Sequence, residues 1–134
     1  MRLFLDTNVI LDIFMRREPF YAASAQVVYL CESGKHIGGI TTLTACNVVY
    51  ALRKRVGLVK TIGAIKQLLK IVEPISTSVP SLLQSLETPL PDFEDAIQLN
   101  CAREWNADVI VTRDKTGFVD STITVQSPSD FLLT

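Results

Sequence analysis

The sequence predicts an α/β fold, a three-layer α/β/α sandwich with a mainly parallel sheet of four or five strands. Three observations lead there. Short apolar runs such as Leu3-Phe4-Leu5 and Val109-Ile110-Val111 have the make-up of strands buried on both faces. Segments with helical apolar spacing separate such runs, and that alternation is the pattern of a parallel sheet. The 134 residues, 48% apolar and 20% charged, suit one domain spanning residues 1–134 and are unlike a disordered chain.

Arg2-Leu3-Phe4-Leu5 is the first strand. Asp6-Thr7-Asn8 turns it into a helix near Val9–Phe14, with Asp6 or Thr7 able to cap the free N–H groups. Arg16-Arg17-Glu18-Pro19 ends that helix. From Phe20 to Ser33, Ala23, Val27, Leu30 and Cys31 fall near one helical face, and Gly34 is the stop. His36–Thr41 is the second strand, followed by a helix over Thr42–Val56. There Leu43, Cys46, Val49, Tyr50 and Arg53 recur at helical spacing. Gly57 parts it from a helix over Val59–Leu69, striped by Ile62, Ile65, Leu68 and Leu69.

Ile71–Ile75 is the third strand candidate, weakened by Pro74. Val79–Leu86 is a short helix, Pro89-Leu90-Pro91-Asp92 a break, and Phe93–Trp105 the next helix. Val109–Thr112 forms a fourth strand, Arg113–Gly117 a loop, Thr122–Val125 a fifth strand, and Pro128–Leu132 a terminal helix.

Composition removes several classes of function. Thirteen Lys and Arg against fourteen Asp and Glu leave a formal charge of -1, unlike a strongly basic nucleic-acid coat protein. A local basic groove stays open, because net charge says nothing of where charges lie. Leu3-Phe4-Leu5 stops at Asp6, too short for a secretory signal core, and no apolar run is long enough to span a membrane. Cys31, Cys46 and Cys101 are odd in number and far apart, as expected of reduced, mostly buried thiols in a cytoplasmic protein. The single histidine, His36, lies in a turn and is a poor base or zinc ligand. Carboxylates are the chemical resource that remains.

In parallel sheets ligands sit at the carboxyl ends of the strands. Asp6 follows the first strand at once, Asp114 lies two residues beyond Thr112, and Asp92, Glu94 and Asp95 open the helix before that strand. Asp92 and Asp95 share a side of that helix, while Glu94 is rotated by about 100° from Asp95. Each acid alone has a plain structural use, as a helix cap, a dipole partner or a turn residue. Together they are harder to explain so. Two carboxylates about 5 Å apart repel by about 3 kcal/mol at an effective dielectric of 20. If Asp6, Asp95 and Asp114 converge, a cation should offset that cost, and oxygen ligands without His or Cys favour Mg2+ or Mn2+.

Leu5-Asp6-Thr7-Asn8-Val9-Ile10-Leu11-Asp12 resembles the opening of PIN-domain ribonucleases. Asp92-Phe93-Glu94-Asp95-Ala96-Ile97 resembles their central acidic helix start, and Val109-Ile110-Val111-Thr112-Arg113-Asp114 their last acidic strand and loop. Order, spacing and length match across essentially the whole chain, and the nearest in size are VapC-like toxins of type II toxin–antitoxin systems. The resemblance implies that Asp6, Asp95 and Asp114 bind Mg2+ or Mn2+ and position an attacking water, which cleaves RNA. It makes Thr7, Asn8 and Thr112 hydrogen-bonding supports rather than ligands. Asp92 either acts beyond the ligands or only caps its helix. It also implies an antitoxin partner and a homodimer, for which apolar helix positions near Val27 and Ile62 are candidates.

Two positions depart from the family pattern. Asn47 stands where a glutamate is usual, bringing a carbonyl oxygen but no charge, and Gly117 rather than an aspartate precedes Phe118. Weaker metal binding, loading only with RNA present, or loss of activity would each follow from Asn47. The competing expectation is therefore an inactive PIN-like module that binds RNA or protein. A phosphohydrolase with Asp6 as nucleophile fits poorly, since Asp6-Thr7-Asn8 lacks the second acid of that motif. Arg53-Lys54-Arg55 is the densest basic run for RNA, with Arg16, Arg17, Lys60, Arg103, Arg113 and Lys115 also available. Phe20, Tyr21 and Tyr50 could stack bases, but at helical spacing aromatics more often enter the core.

Overall fold

In a computed structural model, residues 1–87, 92–119 and 121–134 are described. The break expected at Pro89-Leu90-Pro91 lies outside them. Five strands form one sheet in the order β3-β2-β1-β4-β5. They are β1 (Arg2–Leu5), β2 (Ile37–Thr41), β3 (Glu73–Ile75), β4 (Val109–Val111) and β5 (Thr124–Gln126). Every neighbouring pair is parallel. The helices are α1 (Thr7–Phe14), α2 (Tyr21–Glu32), α3 (Thr42–Val56), α4 (Leu58–Leu68), α5 (Val79–Glu87), α6 (Phe93–Glu104) and α7 (Pro128–Leu132). The expected α/β class and parallel sheet are what the chain adopts.

Strand alternation divides the core. Successive side chains point to opposite faces, so Leu3 and Leu5 join Val9, Ile10, Val27, Ile40, Val48 and Phe131 on one side. Phe4 and Ile110 join Ile97, Leu99, Ala102 and Phe118 on the other. All of these are buried. In β2 the strand itself is kept small. A Cβ on Gly39 would lie 2.8 Å from the Trp105 ring, and one on Gly38 2.8 Å from Cys31 Sγ. Helices therefore pack directly onto this backbone.

Helix α3 turns a different face inward from the expected one. Thr44, Val48 and Leu52 are buried, whereas Cys46, Tyr50 and Arg53 are exposed. Both sets obey helical spacing. Thr44 can be buried because its hydroxyl bonds Thr7 Oγ1 at 2.8 Å and accepts from Gln98 Nε2 at 2.9 Å. Tyr50 instead lies under the Arg53 guanidinium, 4.7 Å from ring centroid to cation. Cys31 and Cys101 are buried and Cys46 exposed, all three free.

Elsewhere the corrections are small. The second strand begins at Ile37, the third at Glu73 and the fifth at Thr124, and the expected Arg113–Gly117 loop contains a 3-10 turn over Lys115–Phe118. No helix among the described residues is long and apolar enough to cross a membrane. Central β1 has β2 on one side and β4 on the other. The chain thus leaves the sheet centre in two directions, which opens a crevice at the carboxyl ends of β1 and β4.

Candidate functional site

Register brings the first and last acidic motifs together at that crevice. Leu5 pairs with Val111, and the Asp6 N–H donates to the Val111 carbonyl at 3.0 Å. Asp6 caps α1, accepting the Thr7 N–H at Oδ1 (2.9 Å). The same oxygen accepts Gln98 Nε2 at 3.1 Å. Its Oδ2 accepts the Thr112 hydroxyl at 2.8 Å and Asn8 Nδ2 at 3.4 Å. All four donors are neutral, so the buried carboxylate is held in place without being neutralised.

The supports are themselves braced. Thr112 Oγ1 accepts Asn8 Nδ2 and the Asp114 N–H, both at 3.0 Å. Asn8 Oδ1 accepts the Arg113 N–H at 3.1 Å. Gln98 Oε1 accepts the Thr41 hydroxyl at 2.6 Å, which fixes which way its amide faces Asp6. Thr112 therefore stands behind Asp6 and also sets the turn that delivers Asp114.

Helix α6 brings the third acid. Asp92 caps it, accepting the N–H groups of Glu94 (2.8 Å) and Asp95 (3.3 Å). The capping carboxylate satisfies amides that no helical carbonyl reaches. The 3-10 turn, anchored by buried Phe118, lays Gly117 against Asp95. A Cβ there would fall 2.3 Å from Asp95 Oδ2, so only glycine fits beside this carboxylate in its present position.

Asp6, Asp95, Asp114, Asn47 and Glu94 line a single cavity of about 210 Å3, with Thr7, Asn8 and Gln98 in its wall. Its electrostatics are one-sided. Among the described residues the ion pairs join Asp12 to Arg113 and Arg17, and Asp130 to Lys115, and none reaches Asp6, Asp95 or Asp114. Burial raises the Asp95 carboxyl to about 6, reinforced by the charges of Asp92, Asp6, Asp114 and Glu94. Such a group of oxygen donors fits a hard divalent cation, which would relieve that repulsion. As placed, no three His, Cys, Asp or Glu side chains among the described residues already stand close enough to hold one.

Sequence reasoning named Glu94 and Gly117 without giving either a role at the cavity, and it missed Gln98 and Thr44. Glu94 reaches the cavity despite its rotation, because its longer side chain extends to Asn47 Nδ2 at 3.4 Å. Gln98 lies three residues after Asp95 and Thr44 three before Asn47, spacings that could have flagged both. Gly117 left no signal beyond its identity. Of the basic residues, Arg113 and Arg17 are committed to Asp12 and Lys115 to Asp130. Phe20 lies beneath the Arg113 guanidinium at 3.9 Å, and Tyr21 beneath Arg16 at 5.6 Å, rather than in the core. Val27, considered for a dimer face, is wholly buried, while Ile62 is exposed.

A family model described as "PIN domain" matches residues 2–116. Ribonuclease VapC1 of Aquifex aeolicus is 25% identical over 135 residues, covering 97% of this chain and 92% of that protein. Among solved structures, VapBC2 from Rickettsia felis bound to a promoter DNA fragment superposes with a TM-score of 0.71 at 16% identity, over 95% of this chain and 98% of that one. A toxin–antitoxin complex from Klebsiella pneumoniae gives 0.69 at 22% identity, over 94% and 97%. Mycobacterium tuberculosis VapC20, a sarcin–ricin-loop-cleaving toxin, gives 0.69 at 14%, over 88% and 94%.

Proposed function

The chain belongs to the PIN-domain family, and on that premise we propose that it is a divalent-metal-dependent endoribonuclease, the toxin of a toxin–antitoxin pair. The observation that carries this reading is the meeting of Asp6, Asp95 and Asp114 at one cavity, where no cation among the described residues is ion-paired to any of them. The likeness to an Aquifex ribonuclease supports the activity, and the likeness to VapBC complexes supports an antitoxin partner. Residues 1–134 act as one PIN domain in the cytoplasm, and a homodimer would use the exposed α4 face around Ile62.

Asp6, Asp95 and Asp114 would hold Mg2+ or Mn2+. When bound, such an ion lowers the pKa of a coordinated water and offsets charge on a phosphoryl oxygen. The protein's own part is positioning. Thr112, Asn8 and Gln98 fix both oxygens of Asp6, Asp92 fixes the first turn of α6 beneath Asp95, and the Thr112–Asp114 contact sets the last carboxylate. Thr7 ties α1 to α3 through Thr44, keeping the two walls of the cavity at a fixed spacing. RNA is the substrate, its phosphate entering at the open rim.

Purified protein with Mg2+ or Mn2+ should cleave single-stranded or loop RNA, and Asp6→Asn should abolish cleavage. Full-strength cleavage by the variant would remove Asp6 from the mechanism.

A further inference from the structure

The three aspartates approach the cavity from β1, α6 and the turn after β4, which leaves the α3 wall without a charge of its own. Asn47 lines that wall, and its amide donates to Glu94 Oε1 at 3.4 Å. Glu94 lies on the exposed rim of the cavity, one residue before Asp95. An amide cannot offer a cation negative charge, but it can hold a flexible carboxylate at the place where charge is needed.

We propose that Glu94, positioned by Asn47, is the fourth carboxylate of the cation site. Charge at the α3 wall comes from α6, carried across the cavity mouth. The inference rests on the metal-dependent reading of this cavity and deepens it. Two features of the rim support it. Glu94 shares the cavity with all three aspartates and with Asn47, the residue its carboxylate contacts. The Asp92 cap accepts the Glu94 N–H, so the backbone of Glu94 is fixed while its side chain alone is free to reach Asn47 or a cation. Glu94 is a ligand or near neighbour of the ion in this scheme, and Asn47 is a positioning residue.

Calorimetric titration of the full chain with Mn2+ tests it, with no dependence on catalysis. Glu94→Gln should weaken Mn2+ binding by about tenfold, the scale of losses when groups around a metal are removed. Asn47→Ala should weaken it too, by a smaller factor, with thermal stability unchanged. The double variant Asn47→Glu/Glu94→Gln returns one carboxylate to the same wall and should recover most of the affinity. Binding by Glu94→Gln equal to the parent, or a double variant no tighter than Glu94→Gln, overturns the assignment. Asp6→Asn separates this from failure of the underlying reading. Parent uptake that is lost in Asp6→Asn yet unchanged in Glu94→Gln overturns the Glu94 role alone. A parent chain that takes up no Mn2+ overturns both.

Discussion

Asp6 caps the helix that holds Asp12, six residues further on, and both are nearly sealed from solvent, at 7% and 0% exposure. Their surroundings are opposite. Asp12 meets the Arg113 guanidinium through both oxygens, with Arg17 at 3.7 Å. Asp6 meets only a backbone amide, two side-chain amides and a hydroxyl. One buried aspartate is ion-paired by its own chain, while the other is oriented by neutral donors alone. The contrast separates an aspartate closed off by its ion pair from one that opens on the cavity. Arg113 and Asp114 are consecutive, so a single turn returns a cation to the structural site and delivers an acid to the open one.

The comparison predicts that Asp12 fails badly when its partner is removed. Arg113→Ala leaves a buried charge facing only the more distant Arg17, and should cost about 3 kcal/mol in urea unfolding. A loss below about 1 kcal/mol would mean that Asp12 is solvated and the two sites are alike. A sharper probe of the open site is Gly117→Ala. Its new Cβ must displace the Asp95 carboxylate, and Mn2+ affinity should fall about tenfold, near 1.4 kcal/mol. Thermal stability should change little, since a single side chain can swing aside. The reverse pattern, lower stability with unchanged affinity, would make the Gly117 contact mere packing.

The smallest effect has the opposite sign to the first. With Asp95 raised to about 6, the native protein binds more protons than the unfolded chain between the ordinary aspartate range and pH 6. Stability of the metal-free protein therefore falls as pH rises through that window, and the penalty is complete above it. Asp95→Asn removes it. The variant should be more stable than the parent by about 1 kcal/mol at about pH 7, screening at the open rim having reduced the effect, and equal to it near about pH 4. Thermal melts across pH, without and with Mn2+, read this directly. A parent as stable as the variant at every pH would mean that Asp95 carries no uncompensated charge.

Much of the frame is legible along the chain because it depends on local pattern. Apolar runs at Leu3–Leu5 and Val109–Val111 specify buried strands, and Asp6 and Asp92 sit where helices must be capped. The acids that follow β1 and β4 could be named for the same reason. Helix α3 shows where local pattern stops. Two faces satisfy its spacing, and only the partners Thr7 and Gln98, distant in sequence, make the Thr44 face the inward one.

The site divides in the same way. Sequence alone determined which carboxylates exist, and that Asp6 and Asp114 follow strands while Asp95 opens a helix, positions able to meet at the carboxyl ends of the strands. It could not determine that Asp12 is silenced, that Glu94 turns toward Asn47, or that position 117 has no room for a side chain. Those outcomes depend on the fields and volumes of groups far away in the chain, which act over a few ångströms and exist only once the β1–β4 register has closed.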